Sequence, residues 1–206
     1  MRLPNVTLPA AFVMLTAGAA RADSFLELEG GLSIPLGDDS WSNLAETSPN
    51  LDAKVGAVGT SGLGGMLQVD WTPINLNNDG ASFGGAGGVD IAAHRFRFLA
   101  DLGFQHRVAP KLILSARVGV GLDLVHASAS GTFLGATISS SDTNAGFGFE
   151  LGGGLWYEIG DIHVGGELAL PIATHSKHGD NSDGNYTFDY TSYDVNLLFG
   201  VRILSR

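Results

Sequence analysis

The sequence contains no cysteine among its 206 residues. This absence excludes disulfide bonds, cysteine-ligated metal centres and a lipid-modified N-terminal cysteine. Basic residues are also scarce, since 11 Lys and Arg stand against 21 Asp and Glu, and the formal net charge is −10. A surface this acidic is a poor partner for nucleic acid. Beyond the first 22 residues, no apolar run approaches the roughly 20 residues that a transmembrane helix needs. A membrane location would therefore require strands.

The first 22 residues have the three parts of an export signal. Arg2 supplies a basic start, residues 8–20 form an apolar run, and Ala20-Arg21-Ala22 matches an A-x-A cleavage site. The run is too short to serve as a membrane-spanning helix. We therefore predict a removable signal peptide at residues 1–22 and one domain at residues 23–206.

The rest of the chain alternates apolar and polar residues with a period of two, which indicates β-strands with two unlike faces. After residue 95, for example, Phe96 and Phe98 fall on one face, while Arg95 and Arg97 fall on the other. Eight segments show this pattern. They lie at residues 25–34, 51–57, 63–71, 95–105, 112–124, 147–158, 162–172 and 193–203.

The connections between these eight segments alternate between long and short. The long connections are polar and rich in Gly, Ser, Asn or Asp, and we predict them to be loops at residues 38–50, 73–88, 127–144 and 175–189. This alternation of long and short connections is typical of a membrane β-barrel with short periplasmic turns and longer extracellular loops. Val89 and Ile91 leave open a further short strand before His94, which would change the count or the boundaries.

Two closed barrels fit the alternation, and the polar face distinguishes them. A soluble lipocalin-like barrel turns its apolar face inward around a ligand, whereas an outer-membrane barrel turns it outward to lipid. The polar face mixes charges of both signs with many glycines, which suits a narrow lumen better than a solvated surface. We therefore predict an eight-stranded antiparallel up-and-down transmembrane barrel with paired lumen charges. The predicted lumen network comprises Glu27, Glu29, Arg95, Arg97, Asp101, Arg117, Asp123, Glu150 and Glu167, and the same face carries Asp52, Lys54, Asp70, Asp194 and Arg202.

This architecture, together with the segments at residues 28–37 and 197–202, resembles the small eight-stranded outer-membrane β-barrel proteins of Gram-negative bacteria. The resemblance implies contact with outer-membrane lipid, and handling by periplasmic chaperones and the outer-membrane assembly machinery. The four long loops and a lumen plugged by its own side chains, too narrow for solutes, predict a structural or surface-interaction role without catalysis or cofactor and with an unknown extracellular ligand. Family members usually end on an aromatic residue, whereas this chain ends on Ile203-Leu204-Ser205-Arg206.

His126 and Ser128 are the strongest catalytic candidates. They continue the outward register of Leu122 and Leu124, and a His beside a Ser on one face is the start of a base–nucleophile pair. The H-x-S arrangement is similar to that of the outer-membrane lipid A deacylases. No convincing acid completes a triad, so we favour a strand end that enters a Ser-rich loop, with a lipid-modifying hydrolase as the alternative.

Residues 175–189 also contain imidazoles and carboxylates that could ligate a divalent cation, namely His175, His178, Asp180 and Asp183. Their spacing matches no recognised metal motif. We interpret them as a solvated loop, and Asp38-Asp39 in the same way, so the sequence predicts no metal and no cofactor.

Overall fold

The computed structural model describes residues 22–36, 42, 45–76, 89–133, 136–181 and 184–205. They form the strands β1 (Ala22–Pro35), β2 (Ala45–Glu46), β3 (Ser48–Gly59), β4 (Leu63–Leu76), β5 (Val89–Ala109), β6 (Leu112–Phe133), β7 (Ala136–Ile159), β8 (Ile162–Asn181) and β9 (Gly184–Ser205). None of the described residues belongs to a helix long and apolar enough to span a bilayer. The predicted signal peptide up to residue 21 and the Asp38-Asp39 pair lie outside the described residues.

The strands form one closed antiparallel barrel. β1 pairs with β3, each strand from β3 onward pairs with the next, and β1 also pairs with β9, which closes the sheet. The two-residue β2 pairs with β4 one residue out of register with the β3–β4 ladder, so β2 and β3 together form one wall strand with an irregularity at Thr47. The barrel therefore has eight strands, which confirms the predicted fold class.

The strands are strongly staggered. Following paired residues once around the barrel from Leu26 leads back to β1 at Leu36, ten residues further along the chain. A closed barrel with such a stagger tilts its strands by about 35–45°. The stagger also brings residues that are distant in sequence to one height in the lumen.

Three tight turns lie at one end of the barrel. In two of them a glycine adopts a left-handed backbone, with φ of 84° at Gly62 and 66° at Gly160. Gly160 and Asp161 form a two-residue turn between β7 and β8, where a positive φ matches the twist of the hairpin. In outer-membrane barrels, short turns mark the periplasmic end.

The exterior of the barrel is apolar. Leu102 is 70% exposed and Phe199 is 73% exposed, and large apolar side chains on all the long strands point outward in the same way. So much exposed apolar surface is unstable in water but suits lipid. The predicted orientation is therefore confirmed, and it is opposite to that of a soluble ligand-binding barrel.

Two predicted loops are strands instead. The β6–β7 ladder keeps one register from Leu112 opposite Tyr157 to Phe133 opposite Ala136, and β8 and β9 pair as far as Asn181 and Gly184. The prediction of loops at residues 127–144 and 175–189 is therefore wrong for most of their length. The polar composition indicates that these hairpins are exposed to water, but it does not exclude strands, because antiparallel backbone hydrogen bonds do not require apolar side chains.

The alternative of a separate short strand before His94 is also wrong. Val89 and Ile91 belong to β5, which runs without interruption from Val89 to Ala109. The strand continues the wall beyond its membrane-facing part, as the strands of the two long hairpins do.

Candidate functional site

The lumen is filled with charged side chains. Among the described residues, nine carboxylates and five Lys or Arg side chains are buried there. All nine residues of the predicted network are among them, with relative exposures of 8% or less. The buried carboxylates are Glu27, Glu29, Asp52, Asp70, Asp101, Asp123, Glu150, Glu167 and Asp194, and the buried cations are Lys54, Arg95, Arg97, Arg117 and Arg202.

Lys54 lies at the centre of one cluster of carboxylates. Its Nζ is 2.7 Å from Oε1 of Glu27, 3.2 Å from Oε1 of Glu167 and 3.3 Å from Oδ2 of Asp52, and it also contacts Oε2 of Glu29. The lysine side chain is 1% exposed. One ammonium group therefore serves four carboxylates from three strands, without direct access to solvent.

The same cluster has the geometry of a possible cation site. Glu27, Glu29 and Glu167 each offer a carboxylate oxygen within 4.8 Å of the others. Carboxylate oxygens in this arrangement suit a hard divalent cation. Because the ammonium of Lys54 contacts all three carboxylates, it occupies the position that a metal ion would take.

Arg117 joins four strands across the lumen. Its Nε donates to Glu167 Oε1 at 2.8 Å, and Nη1 donates to Gln68 Oε1 at 2.7 Å and to Asp101 Oδ1 at 3.2 Å. Nη2 also contacts Glu150. These partners lie on β8, β4, β5 and β7, so this single guanidinium connects opposite walls of the barrel.

Arg97 forms a second bridge from β5. Nη1 is 2.5 Å from Glu150 Oε2, and Nη2 is 2.9 Å from Asp70 Oδ2. Asn50 Nδ2 donates to the same Asp70 oxygen at 2.5 Å and to Thr72 Oγ1 at 2.8 Å. In this layer, the carboxylates therefore accept hydrogen bonds from both charged and amide groups.

Arg95 organises the end of the lumen furthest from the short turns. Its Nε is 2.6 Å from Asp123 Oδ2, and its Nη1 is 2.5 Å from Asp194 Oδ2. Nε2 of His175 lies 3.1 Å from the other oxygen of Asp123, and the His175 ring stacks on Tyr190. This layer ties β5, β6, β8 and β9 together.

Aromatic rings close the opposite, short-turn end. The guanidinium of Arg202 lies 4.4 Å from the centroid of Trp156 and 4.9 Å from that of Phe25, while its Nε donates to Glu27 at 2.6 Å. Trp156 is completely buried. Beyond this layer, a cavity of about 180 Å³ opens at the barrel end, with His163 among its lining residues.

Glycine makes room for Arg117, and this gives a testable prediction. A β-carbon at Gly152 would lie 2.8 Å from Nε of Arg117, whereas one at the outward-facing Gly153 would meet only Ser115 O at an ordinary 3.6 Å. We expect Gly152→Ala to lower the free energy of unfolding by about 1–3 kcal/mol through overpacking. Gly153→Ala should change it by less than about 0.5 kcal/mol. Urea titration in detergent measures both, and equal effects would contradict the close contact at Gly152.

His126 and Ser128 have partners other than each other. His126 Nδ1 lies 2.9 Å from Thr143 Oγ1, and Ser128 Oγ donates to the carbonyl oxygen of Ala92 at 3.5 Å. Both side chains lie at the base of the β6–β7 hairpin. Glu150 lies in the lumen, where it pairs with Arg97 and Arg117, so it does not supply the acid of a triad.

The residues considered as a loop metal site do not come together in the described part of the chain. His175 faces the lumen and pairs with Asp123. The side chains of His178 and Asp180, and all of Asp183, lie outside the described residues.

Several lumen residues are absent from the predicted network. Lys54 and Arg202 are in the inward-facing set that the alternation identifies, but nothing local marks Lys54 as the centre of a cluster. Gln68 and Asn50 donate hydrogen bonds to carboxylates. Because both side chains are neutral, the pattern of charged residues does not include them. Their inward register in β3 and β4 is the signal that could have found them.

Solved structures with the same fold are known. A major outer-membrane protein from Thermus thermophilus superposes with a TM-score of 0.57 at 14% identity, over 89% of this chain and 99% of that chain. Ail, the attachment invasion locus protein of Yersinia pestis, solved with the heparin analogue sucrose octasulfate, superposes with a TM-score of 0.52 at 12% identity, over 90% and 99%. No protein-family model matches the chain, and no curated protein matches it.

The fold is therefore that of the small eight-stranded outer-membrane β-barrel proteins, as the resemblance in the sequence implied. The closed sheet and the outward apolar band agree with it. Together they define a barrel whose wall is suited to a lipid bilayer.

Proposed function

We propose that this protein is a non-catalytic structural barrel of the outer membrane, with a lumen closed by its own side chains and long hairpins directed outside the cell. The observation that carries the proposal is the bridge of Arg117, which contacts groups on four other strands. A channel for solutes needs an open path, whereas these contacts cross the lumen.

The small size of the spaces beside the ion pairs supports a closed lumen. One space beside Arg117 and Glu167 and another beside Arg95 and Asp194 have volumes of about 10 Å³ each. A space of this size holds about one water molecule. The larger cavity lies at the short-turn end, where Phe25 and His163 are among its lining residues.

Permeation through liposomes tests the closed lumen. Proteoliposomes that contain the folded protein should show no swelling in isotonic solutions of small sugars, because the salt bridges would have to break for a sugar to pass. A general porin reconstituted at the same protein-to-lipid ratio is the positive control. Swelling rates that fall with the size of the sugar would overturn the proposal of a closed lumen.

Lipid is the first proposed partner. Residues such as Leu63, Leu102 and Phe199 expose apolar surface that only acyl chains or another apolar surface can cover favourably. Before insertion, the same strands would expose apolar faces and unpaired edges in the periplasm, where they would aggregate. This supports handling by periplasmic chaperones and the outer-membrane assembly machinery.

The hairpins are the proposed surface for interaction. From Asp123 to Phe133, β6 extends ten residues beyond the charged layer, which is roughly 33 Å along the strand. Residues 127–144 contain no Lys or Arg. Residues 175–189 contain one lysine, Lys177, and no arginine. Ail is known with a heparin analogue, but these hairpins of the present chain lack the positive charge that a polysulfated ligand requires.

The absence of catalysis is part of the proposal, and an assay of lipid hydrolysis tests it. Purified protein in mixed micelles with outer-leaflet lipid should release no acyl chains above background, because neither His126 nor Ser128 hydrogen-bonds to the other. Ser128→Ala and the matched Ser130→Ala should behave like the wild type. Release that Ser128→Ala abolishes and Ser130→Ala preserves would favour the hydrolase.

A further inference from the structure

The described lumen contains more buried acids than bases. Nine carboxylates face five Lys and Arg side chains, and the two buried imidazoles, His163 and His175, bring the possible cations to seven. At least two carboxylates therefore lack a matching cation, even if both imidazoles are charged. Because uncompensated buried charge is costly, two carboxylates of this excess that lie together favour the binding of one proton.

The excess is concentrated at Glu29 and Asp52. The two residues are directly opposite each other in the β1–β3 ladder, and Asp52 is directly opposite Asp70 in the β3–β4 ladder. Like charges in directly opposed positions destabilise a sheet. Asp70 has Arg97 as its partner, whereas the cation that contacts both Glu29 and Asp52 is Lys54.

Each of these two carboxylates has one oxygen without a partner. Oε1 of Glu29 and Oδ1 of Asp52 are buried and make no hydrogen bond among the described residues, although both side chains are 0% exposed. Buried polar atoms are normally hydrogen-bonded, so two such atoms on opposed residues indicate a missing donor. A proton on one of the carboxyl groups supplies that donor.

The surrounding groups do not neutralise the excess negative charge at Glu29 and Asp52. Lys54 also serves Glu27 and Glu167, and Arg117 lies closer to Glu150 and Glu167 than to this pair. On β9, the residue opposite Glu29 is Gly200, which brings no charge. A metal ion is also a poor solution, because the ammonium of Lys54 already fills the centre of the cluster.

We propose that Glu29 and Asp52 form a buried acid pair that holds one proton at neutral pH. The proton comes from water as the barrel folds and stays on one of the two carboxyl groups. Lys54 then faces the single negative charge that the pair retains, while Arg202 pairs with Glu27 and Arg117 pairs with Glu167. The lumen is thus a proton-binding site as well as a network of ion pairs.

Infrared spectroscopy tests this proposal on the folded protein in detergent. At pH 7 the wild type should show the carbonyl stretching band of a protonated carboxyl group, with the expected shift in deuterated water. Glu29→Gln and Asp52→Asn should each lose that band, because the remaining carboxylate pairs with Lys54 and ionises. Asp161→Asn, an exposed turn residue, should keep it.

Heat-dependent gel mobility shows whether each variant has folded. If either variant fails to fold, wild-type protein with ¹³C-labelled Asp or Glu carboxyl groups gives the answer, because one of the two labels should shift the band. A wild-type spectrum without a protonated carboxyl group overturns the proposal. A band that survives both Glu29→Gln and Asp52→Asn but disappears in Asp101→Asn overturns the assignment to this pair.

Discussion

Lys54→Met is expected to lower the free energy of unfolding by about 3–5 kcal/mol, which is the usual cost of removing one partner from a buried ion pair. Methionine has nearly the same length but no charge, so packing is preserved while Glu27, Glu29, Asp52 and Glu167 lose their shared ammonium. Urea unfolding from detergent micelles or lipid vesicles, followed by tryptophan fluorescence, measures the change.

Two further variants make this result specific. Lys111→Met removes an exposed lysine from a short turn and should be nearly silent. Adding Glu29→Gln to Lys54→Met removes one of the unpaired charges and should recover part of the lost stability. A cost for Lys54→Met below about 1 kcal/mol would mean that water or ions reach the cluster, and would contradict the closed lumen.

Arg117→Ala is expected to cost a similar amount, about 3–5 kcal/mol, because Asp101, Glu150 and Glu167 all lose a charged donor. Arg117→Met should cost less than Arg117→Ala, since the methionine side chain fills part of the space that alanine leaves empty. The difference between the two variants separates the packing contribution of the arginine from its electrostatic contribution.

Arg107→Ala is the matched control for Arg117. Arg107 also forms an ion pair, with Glu158 at 2.5 Å, but its side chain is 50% exposed at the end of the barrel. An exposed pair of this kind contributes about 0–1 kcal/mol. If Arg117→Ala proved as silent as Arg107→Ala in urea unfolding, the lumen would have to be hydrated, and the inward placement of the charges would lose its support.

The sequence by itself predicts the wall of the barrel well. Alternation in segments such as residues 95–105 identifies both faces of each strand, because successive side chains of a strand point to opposite sides. Short turns such as Gly160-Asp161 are also visible, since few residues adopt a positive φ without strain. The strands of the long hairpins are not visible in the sequence, because a strand outside the membrane needs no apolar face.

The charged residues of the lumen could be predicted as a set but not as pairs. Lys54 and Glu167 are 113 residues apart, and Arg95 and Asp194 are 99 apart, yet each pair is in contact. Which residues meet depends on the stagger of the strands around the closed barrel, and a shift of two residues at one interface would exchange partners without changing any face.

The sequence alone therefore determined that the chain forms an eight-stranded barrel with its apolar face outward, because that information is local and repeats every two residues. The tertiary structure alone decided that Lys54 and Arg117 are the two centres of the lumen, and that Glu29 and Asp52 are left opposite each other. The physical reason is closure: only when β1 meets β9 are the heights of all side chains in the lumen set relative to one another.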